Sequence, residues 1–281
     1  MSSVSPDGVL LGVASALSFG VGDFAGGLAS RRASGLAVAA VAQLVGTVLL
    51  AGFVAVVRPE LPEAGSLAIG VAAGLSGAAG VAALYVAMAA GAMGLVASVS
   101  GAGSVTIPLL VGALLLHQSV HPLQVVGVAF AAAAVLAAGG ASRGGASRRA
   151  LRLALVAALG FGLWYVLLDR AAAASGPWAL FTSRLSGSAS LLALAALRGG
   201  LTTLRSSWRL ALVSGMADVG GNALYVVARA LLALGLAAAL SGIYPLFTML
   251  LARVVLRERL PRLGLAGVAL ALVAIVLISA G

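Results

Sequence analysis

The chain has 281 residues, of which 62% are apolar and only 9% are charged. Soluble globular domains contain about 45–50% apolar and about 25% charged residues, so this composition excludes a soluble domain and indicates a membrane protein. The net charge is +10, and all 17 basic residues are arginines. Most of them lie between apolar segments, where we interpret them as topology signals rather than as a nucleic-acid-binding surface. The chain contains no cysteine, which excludes disulfides and thiolate metal sites.

The apolar segments are long and unbroken, which predicts transmembrane helices rather than the strands of a transmembrane barrel. We expect ten spans, at residues 9–29, 36–57, 67–90, 94–116, 122–139, 151–171, 178–198, 208–230, 235–256 and 263–280. The connections near Gly91 and between His117 and Pro122 must then be tight turns. Residues 1–8 include no basic residue, so we expect the first helix to be retained rather than cleaved as a signal peptide.

The two halves of the chain resemble each other. A shift of 140 residues without gaps lays residues 223–226 on residues 83–86, both of which read Ala-Leu-Tyr-Val. A polar, basic linker at residues 141–150 separates a first unit, 1–140, from a second unit, 151–281. Because each unit has five spans, an odd number, the two units enter the membrane in opposite senses. The predicted fold class is an all-α polytopic membrane protein of ten transmembrane helices, built as two inverted five-helix repeats.

The arginines predict the orientation in the membrane. Thirteen of the 17 belong to the connections after spans 1, 3, 5, 7 and 9, whereas the opposite side has only Arg58, Arg170 and Arg229. The positive-inside rule places the larger group in the cytoplasm, so we expect both chain termini outside.

Three charged residues, Asp23, Arg184 and Asp218, lie within spans. A charge at bilayer depth costs roughly 2.5–3.5 kcal/mol on insertion scales, so each is a candidate site residue. The structural alternatives are a hydrogen-bonded Asp23 near a helix end and an Arg184 that snorkels or forms an ion pair. Counting 1.5 Å per residue from the two faces, we expect Arg184 and Asp218 to lie at similar depth and to pair. Asp23 would then remain as the carboxylate that exchanges protons.

A polar stripe follows one of these charges. Asp218, Asn222, Tyr225 and Arg229 recur at intervals of four, three and four residues, which places them on one helical face. Such a face cannot point at lipid. It either lines a cavity or forms a polar seam with a neighbouring helix.

Aromatic residues with polar groups also fall inside spans: Tyr85, Trp164, Tyr165, Tyr225 and Tyr244. They suit a cavity for an amphipathic or planar solute, and an ordinary packed core explains them as well. Ser100 is a further candidate, although hydroxyls in helices often bond only the backbone. Because the repeat equates Tyr85 with Tyr225, we expect these two at similar depth on opposite sides of one central cavity.

The chain has no Gly-x-Ser-x-Gly, His-Glu-x-x-His or Gly-x-x-x-x-Gly-Lys motif, and the last is impossible without lysine. Two histidines in one turn, His117 and His121, have no nearby carboxylate and make a weak metal site. We therefore expect no enzymatic activity, no cofactor and no metal. Without a nucleotide-binding domain in the chain, the energy for any transport must come from a gradient, from exchange or from a partner.

Two segments of the second half carry a family resemblance. Residues 241–245 read Ser-Gly-Ile-Tyr-Pro, and residues 256–260 read Leu-Arg-Glu-Arg-Leu and are followed by Gly264 and Gly267. With the paired five-helix units, they resemble the drug/metabolite transporter superfamily, specifically its ten-helix EamA-type permeases. In the first half the sequence departs from the family, since residues 117–119 replace the acidic-basic turn.

The resemblance implies a secondary active transporter that exports small solutes, such as amino acids, metabolites or drugs, driven by a proton gradient or by exchange. We expect it in the bacterial plasma (inner) membrane, as a monomer or homodimer whose partners are a small-molecule solute and membrane lipids, with no nucleic acid. The alternative is a non-transporting membrane protein, either a membrane-embedded enzyme or a partner subunit. The candidate substrate-binding residues are Asp23, Tyr85, Ser100, Trp164, Tyr165, Arg184, Asp218, Asn222, Tyr225 and Tyr244.

Overall fold

The computed structural model describes residues 5–115, 120–141, 145–232 and 240–280. These ranges contain ten α-helices, a further short helical piece at residues 240–242 and one 3-10 segment, Gly200–Ser206, before the eighth α-helix. The ten α-helices of these ranges are α1 (Pro6–Ser30), α2 (Gly35–Val57), α3 (Ala64–Ala90), α4 (Met93–Leu115), α5 (Pro122–Ala141), α6 (Gly145–Ala172), α7 (Gly176–Leu197), α8 (Trp208–Leu231), α9 (Tyr244–Val255) and α10 (Arg262–Ala280).

The helix bounds agree with the predicted spans within a few residues, with two differences. Helix α6 begins at Gly145 rather than at residue 151, so much of the expected linker is helical. The predicted start of the ninth span, residue 235, lies outside the described residues, as do His117 and the two residues after it. Within the described ranges, α1–α4 and α6–α8 are long and apolar enough to cross a membrane, while α5, α9 and α10 are shorter apolar helices. The chain is therefore an all-helical, multi-pass membrane protein, and ten spans stay a prediction.

Prolines fix the start of several helices because a first-turn residue has no intrahelical acceptor for its N–H. Pro6 opens α1, where the Ser5 hydroxyl also accepts a hydrogen bond from the Gly8 N–H at 3.3 Å. Pro245 lies in the first turn of α9, just after a turn at Ile243 that interrupts the helical backbone. The chain is thus broken into two helical pieces just before this proline. Pro108, in contrast, lies inside α4.

Small residues let the helices pack closely. A Cβ built on Gly160 of α6 would lie 2.7 Å from the Cα of Gly80 in α3, so these two helices touch backbone to backbone. A Cβ on Gly215 of α8 would lie 2.7 Å from the carbonyl oxygen of Ala42 in α2. Lipid tails are as apolar as leucine, so close contact of this kind holds transmembrane helices together.

The helix contacts follow a pattern that survives an exchange of the two halves. Helix α3 packs on α6 and α7. The exchange replaces α3 by α8, α6 by α1 and α7 by α2, and α8 packs on α1 and α2. The contact between α4 and α6 corresponds in the same way to the contact between α9 and α1. The contacts α2–α7 and α5–α10 each join two helices that are five positions apart, so the exchange of halves leaves them unchanged.

One end of the bundle gathers the arginine-rich connections, and we name it the arginine-rich face. Glu258, between α9 and α10, lies 3.9 Å from Arg31 after α1 and accepts a hydrogen bond from the Met93 N–H at 3.2 Å. The Ser34 N–H donates to the Thr203 hydroxyl at 2.8 Å, which brings the connection between α7 and α8 to the same end. These contacts confirm that the connections after α1, α3, α7 and α9 share one face. Which compartment this face meets stays a prediction.

Glu258 joins three of these connections from a largely buried position. Burial raises the pKa of its carboxyl above the ordinary value, while the Met93 N–H and then the Arg31 guanidinium lower it by less. A carboxyl of this kind binds its proton more tightly in the folded protein than in the unfolded chain.

This linkage predicts a pH-dependent stability. A raised folded-state pKa contributes stability that is fully present below the ordinary pKa of a glutamate and is lost as the pH rises through the raised value. We expect the Tm of the wild-type protein to fall relative to that of Glu258→Gln over this interval. Thermal unfolding of both proteins in detergent from acid to neutral pH measures the difference, and a constant difference contradicts the prediction.

The close crossing of α3 and α6 predicts a second result. Gly160→Leu forces the two backbones apart and should destabilise the protein by about 1–3 kcal/mol or more. The matched control is Gly52→Leu, because a Cβ on Gly52 would meet nothing within 4 Å. Thermal unfolding of the two variants in detergent compares them, and equal losses of stability would rule out a tight crossing.

Candidate functional site

The site is built around Arg184, which α7 carries and α2 holds in place. The Arg184 Nη1 donates a hydrogen bond to Gln43 Oε1 at 2.8 Å, and the Thr47 hydroxyl donates to the Arg184 carbonyl oxygen at 2.9 Å. Gly46 lies between them on the same face of α2, where a Cβ would be 3.4 Å from Arg184 Cδ. The Arg184 side chain is only 13% exposed. Its guanidinium is therefore fixed and mostly removed from water.

Asp218 of α8 supplies the opposite charge. Its Oδ2 lies 2.7 Å from Arg184 Nη2, which confirms the predicted ion pair. Although the distance is short, Oδ2 has no aligned hydrogen bond, so the attraction rests on charge rather than on directed donation. The Asp218 side chain is 36% exposed, whereas its Oδ2 atom is buried. One side of the pair therefore faces protein and the other faces open space.

Asp23 lies on α1 close to this pair. A Cβ on the preceding Gly22 would lie 3.4 Å from the Asp218 backbone nitrogen, so α1 rests directly against α8 at this level. Asp23 is partly exposed and lies within electrostatic range of Asp218 and Tyr244. Within the described ranges no cation forms an ion pair with Asp23.

Aromatic side chains lie around the ion pair. Tyr165 is 49% exposed, yet it lies within electrostatic range of Asp218, Arg184 and Tyr225. We call the exposed space beside Tyr165 and the partly exposed Asp218 the opening. Trp164 packs edge-on against Tyr165, with ring centroids 4.9 Å apart.

Two further aromatic contacts fix the walls of this space. The Trp164 Nε1–H donates to the Ser183 hydroxyl at 2.8 Å, which ties α6 to α7. The ring of Tyr244 on α9 lies edge-on to Phe19 of α1, with centroids 6.3 Å apart. The described helices α1, α6, α7, α8 and α9 thus all contribute to one site.

Tyr85, which lies within electrostatic range of Asp23 and Asp218, and Ser100 are both buried between helices. Tyr85 is 3% exposed, its hydroxyl lies 2.6 Å from the Ser214 Oγ, and its ring fills the space beside Gly26. Ser100 is completely buried and donates to the carbonyl oxygens of Val96 at 2.9 Å and of Ala154 at 3.3 Å. Both side chains pack between helices, and their expected role in substrate binding stays a prediction.

The predicted similar depth of Tyr85 and Tyr225 was wrong. Tyr85 is near Ala90, the end of α3 at the arginine-rich face, whereas Tyr225 is near Leu231, the end of α8 at the opposite face. An in-plane axis turns one half over, so equivalent residues lie at mirrored depths rather than at equal ones.

Backbone carbonyls of α8 beside its polar stripe bond to α1, and one member of the stripe bonds its own helix. Ser15 and Ser18 of α1 donate to the carbonyl oxygens of Gly221 and Ala217 at 2.8 and 2.7 Å. Asn222 donates to the Asp218 carbonyl oxygen of its own helix at 2.7 Å. The side chain of Arg229, the last member of the predicted stripe, lies outside the described part of the structure.

Sequence reasoning missed Gln43 and Ser214. Gln43 is the one amide side chain in the second apolar segment, and polar groups at bilayer depth are candidates by default, so a signal was present. Ser214 gave no such signal, because its role depends on the position of Tyr85 on a distant helix.

The ion pair predicts a coupled mutational response. Asp218→Asn leaves the guanidinium of Arg184 without its counter-charge and should destabilise the protein by about 1–3 kcal/mol. Arg184→Gln in the same chain removes the uncompensated charge and should restore part of the loss. Thermal unfolding of the wild type, both single variants and the double variant completes the cycle. Strictly additive losses would show that the two charges are not coupled.

Comparison with known proteins gives a family for part of the chain. Residues 148–280 match the EamA-like transporter family. No curated protein matches the sequence. A crystal structure, described only as that of a protein, superimposes with a TM-score of 0.63 and 16% sequence identity over 96% of each chain. At this identity the likeness shows the fold alone. The second half of this multi-pass membrane protein is thus similar to the EamA-like transporter family.

Proposed function

We propose that the protein is a secondary active transporter that exports small solutes across the bacterial plasma membrane. The observation that carries the proposal is the Arg184–Asp218 pair, which lies inside membrane-spanning helices and is open on one side. Charged side chains at such depth are costly, and they persist where they face an aqueous cavity or bind a substrate or ion. Tyr165, Tyr225 and Tyr244 add hydroxyl-bearing rings to the same space.

The helix contacts support two inverted five-helix repeats in ten spans. The pairs α3–α6 and α8–α1 are equivalent under an exchange of halves, as a pseudo-two-fold axis in the membrane plane requires. In transporters of this design, one repeat rocks against the other around a site near the midplane, which opens to each side in turn.

Burial along α4 supports a state that is closed at the arginine-rich face. Every residue from Met93 to Ala102 is buried, whereas residues 105–110 of the same helix are partly or fully exposed. Glu258 holds the start of α4 at the closed end. We place the arginine-rich face in the cytoplasm, so this state is open to the outside.

Asp23 is our candidate for coupling to a proton gradient. It lies within electrostatic range of Asp218, so its proton occupancy and the charge of the ion pair influence each other. Solute and proton would compete at this carboxylate as the cavity alternates, which favours exchange of one for the other.

The test is transport by the purified protein in liposomes, with solutes selected by thermal shift from amino acids, sugars and cationic drugs. We expect movement against a solute gradient, driven by protons or by counter-solute. Asp23→Asn should abolish proton-driven uphill transport and leave downhill exchange measurable. Asp7→Asn, at the start of α1, is the matched control and should behave as the wild type.

Two results would count against this proposal. Failure to transport any solute of the panel would favour the alternative, a membrane-embedded enzyme or a partner subunit. Normal uphill transport by Asp23→Asn would move the coupling site elsewhere, first to Asp218.

A further inference from the structure

We propose that Arg184 is a receptor for a carboxylate group of the solute, that Asp218 is the resident carboxylate which the solute displaces, and that Gln43 is the positioning residue that keeps the guanidinium in place during the exchange. This inference rests on the proposed function and names the substrate class of the same site.

The guanidinium is held by α2 independently of Asp218. Gln43 binds Nη1 at 2.8 Å, Thr47 binds the Arg184 backbone at 2.9 Å, and Gly46 leaves room for the side chain to lie against the helix. These three residues occupy one face of α2, since they are three and four positions apart. When Asp218 moves away, Arg184 keeps these contacts and its direction.

Asp218 is held less firmly than its partner. Its side chain is 36% exposed, against 13% for Arg184, and its Oδ2 makes no aligned hydrogen bond. The attraction is therefore electrostatic and can be taken over by another carboxylate. Once displaced, the Asp218 side chain can be hydrated from the opening, which lowers the cost of the exchange.

Gln43 has the right chemistry for a positioning role. A neutral amide oxygen accepts from Nη1 without neutralising the guanidinium, so the positive charge stays available to one anion. The planar fork of an arginine offers parallel N–H donors to the two oxygens of a carboxylate, a geometry that a single-point anion such as chloride lacks.

Chemical rescue tests the receptor without knowledge of the solute. Asp218→Ala removes the resident carboxylate and leaves a space beside Nη2. Formate and acetate should raise the Tm of this variant in a saturable way, and chloride at equal ionic strength or neutral acetamide should not. Wild-type protein, whose own carboxylate occupies the position, should respond much less. Asp169→Ala, at an exposed site in α6, should respond as the wild type.

Gln43→Met tests the positioning role, because methionine keeps the length and bulk of the side chain but lacks the amide oxygen. In the Asp218→Ala background it should weaken the apparent affinity for formate about tenfold, the effect expected for one hydrogen bond to a charged group. A role in packing alone would leave the formate affinity unchanged.

The outcomes separate the parts of the proposal. Equal stabilisation of Asp218→Ala by formate and chloride overturns the carboxylate receptor. Unchanged formate affinity after Gln43→Met overturns the role of Gln43 alone. If Asp218→Ala does not fold, the same titrations are made on Asp218→Ser, whose small side chain also leaves a space beside Nη2. Stabilisation by formate is measured without transport. If formate stabilises Asp218→Ala but the protein moves no solute, the proposed transport function is wrong and the carboxylate receptor is still supported.

Discussion

A guanidinium inside a membrane-spanning bundle must be compensated wherever water does not reach it, and this constraint organises the structure. Arg184 meets it in two ways, through the amide of Gln43 and the carboxylate of Asp218. The first contact fixes α7 to α2, and the second joins α7 to α8. Because Asp218 faces the opening on one side, protein covers the ion pair only in part, and a charged surface remains inside the membrane. The same atoms that stabilise the bundle are thus available to a solute.

Close helix packing makes this arrangement possible. Glycines bring α3 onto α6 and α1 onto α8, near enough for serine hydroxyls of α1 to bond carbonyl oxygens of α8. In lipid, such contacts replace the hydrophobic effect that holds soluble cores together. They also fix the walls of the opening, because α1 and α8 carry Asp23 and Asp218. The cost is that bulky side chains are excluded from the crossings, which explains the many small residues in the spans.

The two ends of the bundle differ in how they are closed. At the arginine-rich face, Glu258 links the connections after α1, α3 and α9, and burial raises the pKa of its carboxyl. At the opposite end, the indole of Trp178 donates to the carbonyl oxygen of Pro59 at 3.1 Å and joins α7 to the connection after α2. The first closure depends on charge and the second on a neutral hydrogen bond, so ionic conditions act on one face more than on the other.

The sequence by itself determined what local chemistry controls. Apolar runs bounded by arginine, glycine and proline predicted the helices within a few residues, because span length and helix ends depend on nearby residues. Charges inside apolar runs identified Arg184, Asp218 and Asp23, because a charged side chain at bilayer depth is costly and marks a candidate site. Tertiary structure decided which faces meet. Helical spacing shows that residues share a face but not what the face touches. The sequence therefore did not show that the Tyr85 ring fills the space beside Gly26 or that Gln43 holds Arg184.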